Sequence, residues 1–286
     1  MESLRKYSLI TCITFLLLAN FFIWNIVRSS DSSELRVYFL DVGQGDAIFI
    51  KSPSGNKMLI DAGASTAALN ELSKILPFNE KKIEVILQTH PDKDHVGGFI
   101  PILDRFAVDF IIESGVKADT RVFNDLEILS ENSSAKRIIA QRGMLVNLGE
   151  GVVLLILFPD RDVSGLNSND ASIVAKLYYG RTTFVLTGDS PIKIEDYLVS
   201  LDGNILKSDV LKVGHHGSKT STSETFVEMV NPQYAVIQAG AGNSYGHPHE
   251  EVLEFLKNSK AEILGTYNLG TILIKSDGRE LEIESQ

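Results

Sequence analysis

Two histidines and two aspartates lie within the six residues HPDKDH, residues 90–95, directly after the apolar strand-like run at residues 83–87. Asp and His at the end of a buried strand each need a partner or water to offset the cost of leaving solvent. Histidine offers an imidazole nitrogen and aspartate offers carboxylate oxygens, and both bind divalent metal ions. Four such side chains at this spacing are too crowded to surround one tetrahedral ion, so the segment predicts a site for two ions.

Further candidate ligands follow strand-like runs later in the chain. Asp189 follows residues 184–186 in LTGD, and His215 and His216 follow residues 211–213 in LKVGHHGS. Asp189 alone also fits a helix start, because an aspartate ahead of Ser-Pro is a common N-cap. A histidine pair followed by glycine has no such simple structural role. All the histidines of the chain lie in segments of this kind: His90, His95, His215, His216, His247 and His249.

The composition limits the kind of metal site. The chain has 286 residues, 44% of them hydrophobic and 22% charged, which is ordinary for a globular protein with a sizeable core. Its one cysteine, Cys12, lies in the apolar N-terminal segment, so no disulfide partner and no cysteine zinc site exist in the body. Any metal must therefore be held by histidine and carboxylate. The net charge of −10 argues against a broad nucleic-acid-binding face and leaves a local basic groove open.

The N-terminal part of the chain is predicted to be separate from the globular body. Residues 1–6 form a basic segment, and residues 7–27 contain no charged residue. About 20 apolar residues can cross a bilayer as a helix, so residues 7–27 are predicted to be a transmembrane anchor. A cleaved signal peptide is the alternative, which the lack of an AxA-like cleavage site disfavours. Residues 28–34 form a linker to the globular domain, residues 35–286. The basic N-terminus favours a membrane-anchored protein with an extracytoplasmic body, or a secreted body if the segment is cleaved.

Short strand-like runs punctuated by Gly and Asp fill the body. Strands are predicted at residues 37–42, 47–51, 57–60, 83–87, 107–112, 152–158, 171–178, 182–186, 210–213, 234–239, 261–265, 271–274 and 281–283. Helices are predicted at residues 66–76, 119–131, 191–200, 222–230 and 248–258, with a helical stretch towards residue 103. Two antiparallel-rich halves with interleaved helices predict an α/β (α+β) fold in which two sheets pack face to face under outer helices.

Six motifs in a fixed order carry a family resemblance. LDVGQGDA, LIDAG, THPDKDHVGG, LTGD, LKVGHHGS and GNSYGHPH together resemble the metallo-β-lactamase-fold hydrolases. More narrowly, the chain resembles the branch represented by the C-terminal domain of the ComEC/Rec2 competence proteins and by phosphorylcholine esterase. The resemblance spans residues 35–286. It implies an αββα sandwich of two mixed sheets with outer helices, and two divalent metal ions at one edge between the sheets.

The resemblance also implies a set of metal ligands: His90, Asp92, Asp94, His95, Asp189 and His216. His90 and Asp92 would bind the first ion, and Asp94 and His95 the second. Asp189 would bridge both ions.

One histidine of the HHGS motif would complete the second site. His216 is favoured as that ligand, with His215 facing substrate, although the reverse assignment stays open. Asp61 in LIDAG would brace the ligand loop through hydrogen bonds.

The sequence departs from the wider superfamily in two places. Asp92 stands where better known members have a histidine, which shifts the site towards oxygen ligands and leaves Zn²⁺ or Mn²⁺ open. No histidine occurs between His95 and His215. Asp170 is a possible ligand for the first ion instead, and a loop aspartate that caps a strand start is an equally good interpretation. In the GQGD loop, the resemblance places Asp46 beside the metals as an orienting group, whereas its setting alone fits a hairpin turn.

The predicted activity is metal-dependent hydrolysis of a phosphodiester, by a hydroxide bridging two divalent metals. Asp94 belongs to this catalytic centre as a ligand, and His215 or His247 would stabilise charge or protonate the leaving oxygen. A phosphodiesterase or nuclease linked to DNA uptake is the leading hypothesis. A surface phosphorylcholine or teichoic-acid-type esterase and a non-catalytic, metal-stabilised binding module are the alternatives.

The substrate stays open between DNA and a choline phosphodiester. A nuclease needs Lys and Arg around its cleft, whereas a choline site needs an aromatic cage. Lys212 and Lys219 flank the HHGS motif, and Tyr178, Tyr179 and Tyr245 lie near other motifs, so the sequence supplies candidates for both.

Overall fold

The structure, a computed structural model, describes Tyr7, residues 11–22 and residues 34–285. Its strands are β1 Leu35–Phe39, β2 Ile48–Lys51, β3 Lys57–Ile60, β4 Lys82–Gln88, β5 Ala107–Glu113, β6 Lys136–Ile139, β7 Leu145–Gly149, β8 Val152–Phe158, β9 Val174–Tyr179, β10 Thr182–Leu186, β11 Val210–Lys212, β12 Tyr234–Ile237, β13 Glu262–Gly265, β14 Ile272–Ser276 and β15 Leu281–Ser285. The α-helices within residues 34–285 are Ala67–Ile75, Lys93–Val96, Phe99–Arg105, Arg121–Asn132, Ile192–Asp202, Glu224–Val230, Glu250–Asn258 and Thr266–Leu269.

The strands form two sheets, as the sequence predicts. The eight-stranded sheet has the order β15-β14-β1-β2-β3-β4-β5-β6, and the seven-stranded sheet has the order β13-β12-β11-β10-β9-β8-β7. Each sheet is mixed. In the first sheet β3 to β6 pair in parallel and the other strands are antiparallel. In the second sheet β10 to β13 pair in parallel. The prediction of two mixed sheets is therefore confirmed. The strand pattern alone suggests antiparallel-rich halves, whereas three of the seven strand pairs in the first sheet and three of the six in the second are parallel.

Helices connect the parallel strands, because a strand can reach a parallel neighbour only through a crossover connection. Helix Ala67–Ile75 joins β3 to β4, and helix Ile192–Asp202 joins β10 to β11. One hydrophobic cluster lies between the sheets, with Phe39 and Phe184 fully buried within it. Two others lie between the outer sheet faces and the helices. The result is the αββα layering that the motifs imply.

Two edge strands are absent from the sequence prediction. Strand β6 begins with Lys136 and Arg137, and β7 is half exposed, so neither has the apolar run of a central strand. Charged, short strands are common at sheet edges, where they discourage pairing with another chain. The pattern of β6 and β7 reflects their edge position.

The predicted membrane span at residues 7–27 falls only partly within the described residues. Residues 11–22 are helical. No helix in the described part of the chain is both long and apolar enough to cross a membrane. Residues 8–10 and 23–27 of the predicted span, the basic segment 1–6 and residues 28–33 of the predicted linker lie outside the described residues.

Candidate metal centre

The candidate ligands lie where parallel strands end. Asp61 follows β3, His90 follows β4, Asp189 follows β10, and His215 and His216 follow β11. The carboxyl ends of parallel strands meet at one edge of a sheet, which is where α/β folds assemble their sites. Packing the two sheets face to face then brings these side chains, which are far apart in sequence, to one place.

One carboxylate oxygen lies at the centre of the group. Oδ2 of Asp189 is 3.3 Å from Nε2 of His95, 3.5 Å from Nε2 of His215, 3.7 Å from Nε2 of His216 and 3.9 Å from Nε2 of His90. Ligand atoms that share one ion at about 2.0 to 2.2 Å lie roughly 3 to 4 Å from one another. The spacing around Asp189 therefore fits cations between these atoms.

Three of the histidines present a buried nitrogen with no protein partner. The described part of the chain offers no hydrogen-bond partner to Nε2 of His90, His95 or His216, or to Oδ1 of Asp189. Leaving such atoms unpaired inside a protein costs about 1 to 3 kcal/mol each. A bound metal ion would satisfy all of them, so the residues fit the two divalent ions that the sequence implies.

Hydrogen bonds on the other ring nitrogen fix these orientations. Nδ1 of His95 donates to Asp61 at 2.8 Å, and Asp61 also accepts from the backbone N–H and the hydroxyl of Thr89. Nδ1 of His90 donates to the Thr89 hydroxyl at 2.9 Å, and Nδ1 of His216 donates to the Gln238 carbonyl at 2.9 Å. With Nδ1 protonated, each Nε2 keeps the lone pair that a metal requires. Asp61 thus occupies the bracing position that the sequence analysis assigns to it.

The two aspartates of the HPDKDH segment lie near different histidines. Oδ2 of Asp92 is 3.7 Å from Nε2 of His90, and Oδ2 of Asp94 is 3.5 Å from Nε2 of His216. This separation matches the predicted pair of subsites on either side of Asp189. Their roles as ligands stay predictions.

Potential ligand atoms lie within 4.8 Å of one another in these groups: His90, His95 and Asp189; Asp94, His95 and His216; Asp46, Asp61 and His95; Asp46, Asp189 and His216.

Without metal, the buried histidines and carboxylates of this cluster shift one another's pKa values through their charges. Burial lowers the pKa of His216, but the carboxylates of Asp189 and Asp46 outweigh it and raise the pKa to about 9. Burial raises the pKa of Asp189, but His95 and His216 outweigh it and hold that pKa well below its usual range. A metal ion must displace protons from such histidines, so its affinity depends on pH.

The HHGS segment gives its two histidines different environments. His216 is buried, whereas the side chain of His215 is 27% exposed. Both have left-handed backbone angles, with φ of 47° for His215 and 57° for His216, a conformation that costs energy and is concentrated at functional sites. Nδ1 of His215 lies 3.0 Å from the hydroxyl of Thr220. The geometry favours His216 as the ligand and leaves His215 at the mouth of the site.

The structure does not bring Asp170 into the group. Its carboxylate pairs with the ammonium of Lys193 and lies 3.5 Å from the side-chain amide of Asn167. An ammonium that already neutralises this carboxylate leaves it poorly placed to compete for a metal. In the same loop region, Ser168 donates to Asp92 at 2.6 Å. The middle of the chain therefore contributes a hydroxyl that orients Asp92.

Asp46 lies beside the histidines and pairs with Lys212, one of the two lysines that flank the HHGS motif. Oδ1 of Asp46 is 3.2 Å from Nδ1 of His216. Its Oδ2 pairs with the ammonium of Lys212, which is fully buried and also lies 3.2 Å from the carbonyl oxygen of Gly188. Of the two lysines that flank the HHGS motif, Lys212 is therefore not a surface group that could meet substrate phosphates, because its charge points inward. Lys219 is exposed.

The predicted aromatic candidates separate into two groups. Tyr178 and Tyr179 pair with the start of β10, at the opposite end from Asp189. Tyr245 stacks on His247 at 5.7 Å between ring centroids, and the His247 ring is 5.7 Å from that of His215. Only Tyr245, of these three tyrosines, borders the site.

Comparisons with known proteins agree with this architecture. The family model described as "Metallo-beta-lactamase superfamily" matches residues 40–241. The chain therefore belongs to the metallo-β-lactamase superfamily. It is 31% identical over 266 residues to ComE operon protein 3 of Bacillus subtilis, which covers 87% of this chain and 34% of that protein. It is also 31% identical over 255 residues to recombination protein 2 of Haemophilus influenzae, which covers 86% of this chain and 29% of that protein.

The resemblance to the competence proteins is thus confirmed, and the chain spans about a third of the length of these relatives. A solved structure with the same fold is CmlA, a diiron β-hydroxylase from Streptomyces venezuelae. It has a TM-score of 0.55 and 13% identity, and the match covers 89% of this chain and 54% of CmlA. At that identity the likeness shows the fold alone.

Proposed function

We propose that this chain is a binuclear metal-dependent phosphodiesterase that cleaves DNA. One observation supports it above the others: three buried histidine Nε2 atoms without protein partners surround the Asp189 carboxylate. His215 stands at the open side of the same carboxylate, where a substrate could reach it. A metal-stabilised binding module would use the same buried nitrogens, but it would not need His215 at the entrance to the site.

The protein side chains hold and orient the reacting groups. His90, Asp92 and Asp189 would hold one ion, and Asp94, His95 and His216 would hold the other with Asp189 shared. Bound divalent ions lower the pKa of water and stabilise charge on phosphoryl oxygens.

His215 and His247 differ in what they can do at the mouth of the site. Burial and the nearby His215 lower the pKa of His247 to about 4, so His247 is neutral at pH 7 and acts as a hydrogen-bonding group. Burial lowers the pKa of His215 as well, so position is what distinguishes the two histidines. Nε2 of His215 lies 3.5 Å from Oδ2 of Asp189. We therefore assign to His215 the contact with the developing charge on the leaving oxygen.

The names of the relatives support DNA as the substrate class. One relative is named recombination protein 2, and recombination is a process of DNA; the match covers 86% of this chain and 29% of that protein. A choline substrate has less support, because Tyr178 and Tyr179 lie away from the centre and Tyr245 alone cannot form a cage.

The test is hydrolysis by the full chain, purified and then depleted of metal. Single-stranded DNA and p-nitrophenylphosphorylcholine are offered separately, with Mn²⁺ or Zn²⁺ added back. We expect DNA cleavage only after add-back. Turnover that persists in the chelated protein would contradict the mechanism, and cleavage of the choline ester alone would assign the esterase.

A matched pair of variants tests the centre itself. Asp189→Asn is expected to lower kcat/KM by at least roughly 100-fold, since even groups that only orient ligands are worth 10- to 100-fold. Asp170→Asn removes a carboxylate outside the group and should keep both metal and activity. Equal losses of metal and of kcat/KM in the two variants would contradict the assignment of Asp189 as the ligand shared by both ions.

The proposal includes the cellular location. Residues 7–27 would anchor the chain in a membrane with the catalytic domain on the extracytoplasmic side. Protease added to intact cells should digest the domain in that arrangement. Protection of the domain until the cells are lysed would contradict it.

A further inference from the structure

The loop that ends at His247 is held in one conformation by a single side chain. The amide nitrogen of Asn243 donates to the carbonyl oxygens of Gly240 at 2.9 Å and His247 at 2.6 Å. Its amide oxygen accepts from the backbone N–H groups of Tyr245 at 3.1 Å and His247 at 3.0 Å. Four hydrogen bonds from one residue tie both ends of the loop together. The backbone from which the side chains of this loop project is therefore held in a fixed position.

The loop presents an exposed aromatic ring towards the metal centre. Tyr245 is 65% exposed, although one face of its ring rests on His247 with an interplanar angle of 23°. The His247 ring contacts that of His215, whose Nε2 reaches Asp189. A line of rings thus leads from solvent to the catalytic carboxylate. The outer face of Tyr245 is free to receive a further flat group.

A positive charge lies on the same rim. The backbone N–H of Lys219 donates to Nδ1 of His249 at 3.1 Å, and the Lys219 side chain is exposed. His249 in turn packs against His247, with ring centroids 4.9 Å apart. The rim therefore combines an aromatic platform with an ammonium that can meet a phosphate, which is the combination that binds single-stranded nucleic acid.

We propose that Tyr245 is the stacking platform for the nucleobase next to the scissile phosphate, and that the substrate is single-stranded. The inference rests on the proposed phosphodiesterase function and refines it. Both faces of a base inside a duplex are covered by its neighbours, so such a base can lie flat on Tyr245 only after one of its faces has been freed, which single strands allow. Stacking on one ring is independent of base identity, so the platform predicts cleavage with little sequence preference.

The test compares Tyr245→Ala with Tyr245→Phe, which keeps the ring and removes the hydroxyl. The substrates are an oligothymidylate whose linkages are all phosphorothioate except one, which defines the scissile position, and the same strand with one abasic residue beside that linkage. We expect Tyr245→Ala to raise KM for the intact strand roughly 5- to 150-fold, the effect of losing one base–aromatic stack. The abasic strand should show the raised KM already in the unaltered protein and no further change in Tyr245→Ala. Tyr245→Phe should behave as the unaltered protein does.

A binding readout separates this inference from the proposed function. A strand containing 2-aminopurine, with phosphorothioate linkages that slow hydrolysis, should lose fluorescence when its base stacks on Tyr245. The loss should disappear in Tyr245→Ala and remain in Tyr245→Phe. Quenching without cleavage of any strand would overturn the nuclease proposal while supporting the platform. Cleavage with KM unchanged in Tyr245→Ala would overturn the platform, as would equal kcat/KM for the matching duplex.

Discussion

The buried pair between Lys212 and Asp46 gives a prediction that depends only on charge and burial. The Lys212 side chain is fully buried and Asp46 is 1% exposed, so neither charge has water to stabilise it. Replacing Lys212 by methionine keeps the volume and removes the charge, which leaves the Asp46 carboxylate buried without its cation. We expect the free energy of unfolding to fall by about 3 to 5 kcal/mol, the usual cost of breaking a buried ion pair.

The magnitude follows from the geometry of the pair. Two unit charges in contact at about 3 Å attract by roughly 5 kcal/mol at an effective dielectric constant near 20. Nδ1 of His216 lies 3.2 Å from Asp46 and can offset part of the loss, so the lower end of the range is the better expectation. Asp46→Asn alone should cost a similar amount, because it leaves the buried Lys212 ammonium with neutral acceptors only, among them the Gly188 carbonyl.

The double variant measures the interaction itself. Lys212→Met combined with Asp46→Asn removes both charges and keeps an oxygen that can accept from His216. The two single costs should therefore not add, and the coupling energy should exceed about 1 kcal/mol. Urea unfolding of the metal-depleted full chain, followed by circular dichroism, gives each value. Lys219→Met, at an exposed lysine, is the control and should stay within about 0.5 kcal/mol of the unaltered protein. A Lys212→Met cost no larger than the control, or strictly additive single costs, would refute the pairing.

Three further predictions concern pH, ligand assignment and loop geometry. Burial raises the pKa of Glu195 to about 7 despite two backbone N–H donors. The folded protein then binds this proton more tightly than the unfolded chain, so stability should fall by roughly 3 kcal/mol as pH rises from the unfolded value near 4.5 to about 7. Glu195→Gln should lack that slope in urea unfolding across pH 4 to 8. His216→Ala should lose bound metal and His215→Ala should keep it while losing kcat, as metal analysis beside kinetics would show. A Cβ at Gly45, where φ is +134°, would lie 2.2 Å from the Asp94 carbonyl oxygen, so Gly45→Ala should weaken metal binding in an equilibrium titration.

Metal ligands that directly follow a strand could be predicted from the sequence, because the sheet topology determines where the end of each strand lies. An apolar run that stops at a polar, metal-binding residue indicates a strand whose end carries a side chain to the sheet edge. Asp189 and the histidines after β11 both have that pattern, and the structure brings them to His90 and His95. Their assignment to separate ions came from the family resemblance, since strand ends alone do not say which atoms share an ion.

Features that depend on contacts between distant segments could not be predicted in the same way. Lys212 interrupts the apolar run VLKV, and a lysine in a short strand ordinarily faces solvent. Its inward direction depends on Asp46, which lies in the other sheet's loop 166 residues earlier. The carbonyl of Gln238 that orients His216 gives no sequence signal, because every residue has a carbonyl. The sequence left Asp170 open between a metal ligand and a loop aspartate, and it gave no sign that Lys193 pairs with this carboxylate.

The charges gathered at this edge give an independent argument for two ions. Five carboxylates lie in or beside the cluster: Asp46, Asp61, Asp92, Asp94 and Asp189. The buried ammonium of Lys212 balances one of their charges. Four negative charges therefore remain. Asp61 and Asp189 are buried, whereas the side chains of Asp92 and Asp94 are 43% and 38% exposed. Buried charges of one sign are tolerated only when they are compensated.

Two divalent cations supply that compensation, whereas a single ion would leave half of it missing. In the metal-free protein, the raised pKa values of His95 and His216 allow protons to replace part of the positive charge. Metal titration at neutral pH should accordingly saturate at two ions per chain and release protons into weakly buffered solution. Saturation at one ion, with no proton release, would contradict this balance of charges.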